Sequence, residues 1–304
     1  MMNIPFVNVV ILTWNHLKDT IECLDSVYVS DYPNYRIVIV DNASTDSTVE
    51  YVKENYSQVK IIQNPENLGY AEGNNVGIRY SLDHKTDYIF ILNNDTVIQP
   101  DTIRLLVEDL ETNPQAIAVA PKSYYYDNPE KVYFAGGKIN PDGTVAHIKN
   151  DITGEGYETD WLNGCAIMFR TKSLHNIGTF DSKYYLLFED TDWSIRARQS
   201  GYSLRIVPQT IIRHKSSSSF NGKWTSEYLY YYSRNRLLFH KKNFSFINRM
   251  KVLFYDLRYD LKMLRDKRWS TAERNRRYLV VRLAYRDFIL SRFSRRNYRW
   301  PDSS

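Results

Sequence analysis

Apolar residues in the first third of the chain fall in short, β-branched runs separated by stretches of helical period. Phe6–Thr13 (FVNVVILT), Arg36–Asp41 (RIVIVD), Val59–Gln63 (VKIIQ) and Asp87–Leu92 (DYIFIL) predict four strands, the first buried and the third short. Between them, Leu17–Val29, Asp46–Asn55 and Ala71–Leu82 predict helices, the second capped by Ser44 or Asp46. Strands alternating with helices predict βαβ units: an α/β fold with a mainly parallel sheet and flanking helices. The pattern then changes. Tyr124–Lys149 carries the turn signals Asp127-Asn128-Pro129 and Pro141-Asp142-Gly143 between short β-prone runs, which predicts a hairpin. A strand is predicted at Asn163–Arg170, a helix at Asp190–Gln199 stopped by Gly201, and a last strand at Ser203–Arg213 kinked at Pro208. From Glu227 the period is helical. Ile247, Met250, Phe254, Leu257, Leu261 and Leu264 recur at steps of three and four, as do Tyr278, Val281, Tyr285 and Phe288. These predict amphipathic helices with Arg/Lys-rich outer faces. The expected division is therefore an α/β domain over residues 1–226 and a helical region over 227–304.

Composition narrows this picture. The chain has 304 residues, 43% hydrophobic and 25% charged, which is globular and not disordered. No run approaches the ~18 apolar residues of a spanning helix, and the opening MMNIPFVNVVILTWN has no basic n-region or cleavage site, so neither secretion nor membrane spanning is expected. Two cysteines, Cys23 and Cys165, make neither a disulfide framework nor a metal cluster and fit a reducing compartment. Charge is divided unevenly. Residues 1–233 hold 20 Lys+Arg against 29 Asp+Glu, while residues 234–304 hold 20 against 6. A basic tail on an acidic body would face something anionic: a phospholipid surface, a lipid diphosphate or nucleic acid.

Ligands of parallel α/β sheets sit beyond the carboxyl ends of the strands. Three predicted ends carry polar residues: Thr13-Trp14-Asn15, Asp41-Asn42 and Asn93-Asn94-Asp95. Asp95 could hold a divalent cation on a diphosphate, or simply make an Asx turn. Asp41 could accept from a ribose or base, or stand solvated beside a capped helix. The run from Asn67 to Gly77 (NLGYAEGNNVG) has glycines that permit close backbone approach to a ligand, or it is a plain loop and helix start. It matches neither a dinucleotide fingerprint nor a P-loop. Asp190 or Thr191 could cap a helix, and a carboxylate there could also act as a general base, kept ionised and weak by the helix dipole. His214 is a structural histidine or a metal ligand. Trp161 and Trp193 are core residues or stack on a sugar.

Taken in order, these motifs resemble family 2 glycosyltransferases of the GT-A fold. The matching stretches are VVILTWN (9–15), IVIVDNASTDST (37–48), NPENLGYAEGNNVGI (64–78), DYIFILNNDT (87–96), WLNGCAIMFR (161–170), FEDTDWSIRARQSGY (188–202) and HKSSSS (214–219). YYYSRNRLLF (230–239) is also similar to the rhamnosyltransferase-like branch that builds bacterial polysaccharides. The resemblance implies that Thr13, Asn15, Asp41, Asn67, Gly69, Asn75, Asn93 and Asn94 bind the nucleotide sugar. Asn93-Asn94-Asp95 stands in place of the family's DxD motif, with Asn93 replacing its first acid. Asp95 and His214 would hold Mn2+ or Mg2+, Asp190 would be the catalytic base, and Trp161, Gly164 and Glu189 would shape the sugar and acceptor cleft. The implied reaction is an inverting transfer from a dTDP-sugar or UDP-sugar, with L-rhamnose from dTDP-rhamnose as the leading donor. The acceptor is a hydroxyl of a glycan or of a lipid-diphosphate-linked glycan. The implied setting is the cytoplasm, with an anionic membrane surface as a candidate partner at the inner face of the cell membrane. A nucleotidyltransferase would want a Gly-rich basic loop after the first strand, where this chain has Thr13-Trp14-Asn15-His16. An RNA-binding scaffold would use the basic tail, but no RNA-binding motif accompanies it and the acidic body would repel a polyanion, so nucleic acid is not an expected partner.

Overall fold

The computed structural model describes residues 4–140, 143–215, 225–265, 270–293 and 295. The turn residues Pro141 and Asp142 and the serine run Ser216–Ser219 lie outside them. The first half runs β1 (Val7–Thr13), α1 (Leu17–Tyr28), β2 (Tyr35–Asp41), α2 (Thr48–Asn55), β3 (Lys60–Gln63), α3 (Gly69–Asp83), β4 (Tyr88–Asn93), β5 (Thr96–Ile98), α4 (Thr102–Thr112) and β6 (Ala116–Tyr125). Then follow β7 (Asn128–Phe134), β8 (Gly137–Ile139), β9 (Val145–His147), β10 (Tyr157–Glu158), β11 (Ala166–Arg170), α5 (Thr171–Ile177), α6 (Glu189–Gln199) and β12 (Ser203–His214). Three helices close the chain: α7 (Ser226–Asn243), α8 (Phe246–Arg265) and α9 (Thr271–Ile289).

The main sheet has the order β10-β12-β6-β11-β4-β1-β2-β3, with β5 on β12 and β7 on β6. β4, β1, β2 and β3 are mutually parallel, and so are β6 and β12. β11 runs antiparallel between β4 and β6, so the sheet is mixed but mainly parallel. All seven residues of β1 are buried because helices cover both faces. Val9 and Ile11 pack toward Leu24 of α1 and Leu106 of α4, while Val10 packs toward Ile78 of α3, the period-two alternation of a strand.

Residues 96–123, left unassigned by the apolar pattern, form β5, α4 and most of β6. β6 (AIAVAPKSYY) is a weak strand by propensity, yet all but its last residue are buried, because it lies inside the sheet. Its buried Lys122 is paired with Asp151 and donates to the Ile152 carbonyl at 3.1 Å. The single hairpin predicted over 124–149 is two pairings, β6 with β7 and β8 with β9. β12 is irregular near Pro208, with a register shift between Val207 and Ile211. α2 starts at Thr48; Asp46 accepts the Thr48 amide at 3.1 Å, whereas the Ser44 hydroxyl accepts the Asn15 amide at 2.7 Å. α6 starts one residue earlier than predicted, so Asp190 and Thr191 stand inside its first turn and neither caps it. Gly201, at φ +85°, follows its end as predicted.

The tail is helical, with faces different from those predicted. α9 buries Val280, Val281 and Ala284 against Leu229, Tyr230 and Tyr231 of α7. Its seam is rotated from the predicted one: Tyr278 is exposed, and Asp287 is buried, where it accepts the Tyr230 hydroxyl at 2.8 Å. On α8 the predicted residues Ile247, Met250, Phe254, Leu257 and Leu261 face solvent instead of a core; the side chain of Leu264 is outside the described ones.

Candidate active site

Register makes the carboxyl ends of the parallel strands level. Thr13 lies opposite Asp41, Leu12 opposite Asn93, and Asp41 opposite Gln63. At this edge Thr13, Asn67, Gly69, Asn93, Asn94 and Asp95 line a pocket of about 130 Å³. The Asn94 amide donates to the hydroxyls of Thr13 (3.2 Å) and Thr20 (3.1 Å), which fixes the wall. Three residues expected at the nucleotide are not among those lining it. Asp41 is buried and accepts the Ser44 amide, Asn15 accepts the Thr45 amide at 2.8 Å, and Asn75 exchanges two hydrogen bonds with the Phe180 backbone at 2.9 and 3.0 Å. Asn42 was missed as an individual residue, although it follows Asp41 in the run that carried the signal. Buried in this wall, it donates to the Gly69 carbonyl at 3.0 Å and accepts from Asn64 at 2.9 Å.

The glycines of α3 permit close packing. The Tyr185 carbonyl accepts the amides of Tyr70 (2.7 Å) and Ala71 (3.1 Å), so the chain itself occupies the helix start. Gly69 has φ +78°, and a Cβ there would lie 2.4 Å from the Tyr185 ring. Gly73 and Gly77 let α3 sit on Leu12 and Val10.

A larger cleft of about 590 Å³ adjoins this pocket, sharing Tyr70, Asn93, Asp95 and Leu186 with it. Its lining brings together Asp95, His214, Glu189, Asp190, Trp161 and Gly164. The antiparallel pairing of β5 with β12 sets Thr96 opposite His214. Asp95 therefore meets a histidine far along the chain: its Oδ1 is 3.1 Å from His214 Nε2, with Asp95 6% and His214 7% exposed. His214 Nδ1 is buried without a hydrogen-bond partner among the described residues, and the Tyr133 and His214 ring centres lie 5.2 Å apart, edge to face. One carboxylate and one imidazole suit Mn2+ or Mg2+ as part of a coordination shell. Among the described residues no third His, Cys, Asp or Glu completes a metal cluster, so a cation here would need phosphate oxygens or water as well.

Glu189 and Asp190 enter the cleft from a strained turn. Tyr185, Leu187 and Phe188 have φ of 62°, 72° and 75°, a conformation side chains disfavour and the surroundings must impose. α7 imposes it. The buried Asn235 amide donates to the carbonyls of Tyr184 (2.7 Å), Leu186 (2.6 Å) and Leu187 (3.1 Å), and the buried Arg234 guanidinium to those of Lys183 (3.1 Å) and Tyr184 (2.9 Å). The YYYSRNRLLF segment thus braces the turn that presents the carboxylates. Trp161 is 3% exposed, between Phe134 and His147. Trp193 is core, its indole N–H donating to the Gly178 carbonyl at 2.9 Å.

Asp190 Oδ2 accepts the Gly164 amide at 2.8 Å, and Oδ1 accepts the Thr191 amide at 2.6 Å and its hydroxyl at 3.1 Å. Glu189 Oε2 is buried and accepts nothing among the described residues. Burial raises both carboxyls, and the Asp190 charge raises Glu189 further, to well above the carboxylate range. Burial therefore outweighs the helix-start dipole, and the expectation of a weak, readily ionised base is corrected to a stronger one. Three donors favour the charge on Asp190, so of the two Glu189 holds its proton to higher pH.

This has a measurable consequence. The native state keeps Glu189 protonated to higher pH than the unfolded chain, so stability falls as pH climbs from the unfolded value, about 4.3, toward the raised native one. Glu189→Gln escapes that loss. Its melting temperature relative to wild type should be lowest near pH 4 and should rise toward pH 8. A difference that does not change with pH would mean Glu189 titrates like an exposed carboxylate.

Comparison with known proteins places these features in context. The model of "Glycosyl transferase family 2" matches residues 8–174. An N-acetylglucosaminyl-diphospho-decaprenol L-rhamnosyltransferase of Mycobacterium tuberculosis is 23% identical over 210 residues, 60% of this chain and 67% of that protein. A poly-beta-1,6-N-acetyl-D-glucosamine synthase of Staphylococcus epidermidis is 24% identical over 222 residues, 69% of this chain; the match spans 50% of the synthase. Among solved structures, a mannosyltransferase of Pyrobaculum calidifontis in complex with GDP-Man and Mn2+ superposes with a TM-score of 0.57 at 15% identity, covering 96% of this chain and 89% of that one. That likeness concerns the fold.

Proposed function

The chain belongs to glycosyl transferase family 2, and from that premise we propose that it moves a sugar from a nucleoside diphosphate to a hydroxyl of a growing glycan, with inversion at the anomeric carbon. The observation that carries this reading is the meeting of the Asp95–His214 and Glu189–Asp190 pairs in one cleft that opens onto the strand-end pocket. Asp190 takes the proton of the acceptor hydroxyl as that oxygen bonds to the anomeric carbon, and the bond to the diphosphate oxygen breaks with its electron pair leaving on the diphosphate. The raised affinity of Asp190 for a proton suits it to this task, and the amides of Gly164 and Thr191 aim it. Glu189, holding a proton, spares Asp190 a second negative charge. Asp95 and His214 would hold Mn2+ or Mg2+, which when bound supplies positive charge to the departing diphosphate. Thr13, Asn67, Gly69, Asn93 and Asn94 would contact the nucleotide.

The leading donor is dTDP-rhamnose, with a UDP-sugar next, and the acceptor class is a glycan carried on a lipid diphosphate. The support is the name and 23% identity of the Mycobacterium relative, together with the YYYSRNRLLF segment. A thermal-shift panel of nucleoside diphosphates and their sugars, with and without Mn2+, tests both levels. A ligand at 100 times its Kd adds about 2.7 kcal/mol to the native state, so dTDP and dTDP-rhamnose should raise the melting temperature by several degrees, and further with Mn2+. A shift by UDP alone would reassign the base, and no shift by any nucleoside diphosphate would end the reading.

A further inference from the structure

α8 turns its apolar side to solvent. Phe246, Ile247, Met250, Phe254, Leu257 and Leu261 are all exposed, Phe246 by 72% and Phe254 by 61%. At the helical repeat they fall within one arc of about 100°. Val252, on the opposite side, is buried, so the helix is seated by that side and leaves the stripe uncovered. Exposed Lys251, Arg258, Lys262 and Arg265 border the stripe, and the Arg258 guanidinium lies 5.6 Å from the centre of the Phe254 ring. α9, equally basic, is spent on packing against α7.

We propose that α8 is the surface by which this protein docks on an anionic phospholipid bilayer, lying along the boundary between headgroups and acyl chains. An uncovered apolar stripe with a cationic border matches such an interface in both polarity and charge. Residues 234–304, with 20 Lys+Arg against 6 Asp+Glu, carry the same sign. A second copy seated on the stripe would bring two cationic borders together, and a polynucleotide would leave six apolar side chains without a partner. Among the described residues no helix is long and apolar enough to cross a membrane, so α8 lies on the surface and does not span it. The inference goes beyond the transfer reaction and does not rest on it.

The test uses the full chain, without turnover. It is sedimented with vesicles of phosphatidylcholine alone, or of phosphatidylcholine and phosphatidylglycerol in equal parts. Wild type should partition onto the anionic vesicles only, less so as salt rises. Phe254→Asp combined with Leu257→Asp should lower partitioning at least about tenfold. Lys251→Gln combined with Arg258→Gln should do so by a similar factor, since each cation near an anionic surface is worth about fivefold. All these side chains are exposed, so melting temperatures should match wild type and certify the fold. Wild type failing to bind anionic vesicles, or the aspartate variant binding as well as wild type, would overturn the proposal. Light scattering that finds a dimer abolished by the aspartate pair would also overturn it and give the stripe to a second copy.

Discussion

Asp190→Asn should slow sugar transfer by about 10²–10⁴, the usual worth of a general base, while nucleoside diphosphate still binds. The size follows from what the substitution removes. Asparagine keeps the shape of the side chain but has no lone pair basic enough to take the acceptor proton. The native carboxylate meets three donors, the amides of Gly164 and Thr191 and the Thr191 hydroxyl. An amide can satisfy only the donors on its oxygen side, so a small loss of melting temperature is expected alongside the kinetic one. The nucleotide pocket is lined by other residues, and calorimetric affinity for the nucleoside diphosphate should stay within about twofold of wild type. In wild type, kcat/KM should rise with pH through an acid limb displaced above an ordinary aspartate, because burial raises Asp190. Retained turnover in the variant would remove Asp190 as the base.

Asp95→Ala should be nearly as damaging by a different route. Asp95 lines both the strand-end pocket and the cleft, and its buried partner His214 lines the cleft, so the pair stands where a diphosphate bridging the two would need charge compensation. Losing one preorganised element of charge stabilisation costs about 10²–10³ in kcat. The sharper readout is binding. Mn2+ should strengthen nucleotide-sugar affinity in wild type and leave Asp95→Ala unchanged, with His214→Ala between them. Chelation of wild type should bring it down to the level of the variant. Among the described residues no third His, Cys, Asp or Glu joins Asp95 and His214, so a cation held there would depend heavily on oxygens of the nucleotide and should bind weakly without it. Equal affinities for wild type and Asp95→Ala in the presence of Mn2+ would take Asp95 out of the site.

Much of this was legible along the chain. The strands β1, β2 and β4 stand out because both faces are covered, so their sequences are nearly continuous apolar runs, whereas β3, at the sheet edge, is half-buried only at Ile61 and Ile62. Asn93-Asn94-Asp95 was legible as polar residues where an apolar run stops, and Glu189-Asp190 as carboxylates opening a helix. β6 was not, since Ala, Pro, Lys and Ser give it no strand signature and only its neighbours in the sheet make it one. The partner of Asn75 was not legible, because an asparagine near glycines looks the same in sequence whatever it meets; here it exchanges hydrogen bonds with the Phe180 backbone.

The order of amino acids by itself determined β1 to β4 and the helices between them, where polar groups end those strands, and how charge divides between body and tail, because periodicity and turn chemistry act over a few residues. Only the tertiary structure decided that β5 pairs with β12 and so joins Asp95 to His214, that the Tyr185 carbonyl fills the start of α3, and that Arg234 and Asn235 brace the turn before Glu189. It also decided the protonation order of Glu189 and Asp190 and which tail helix leaves an apolar face uncovered. Burial, cross-strand register and long-range hydrogen bonds set these properties, and each depends on residues distant in the chain.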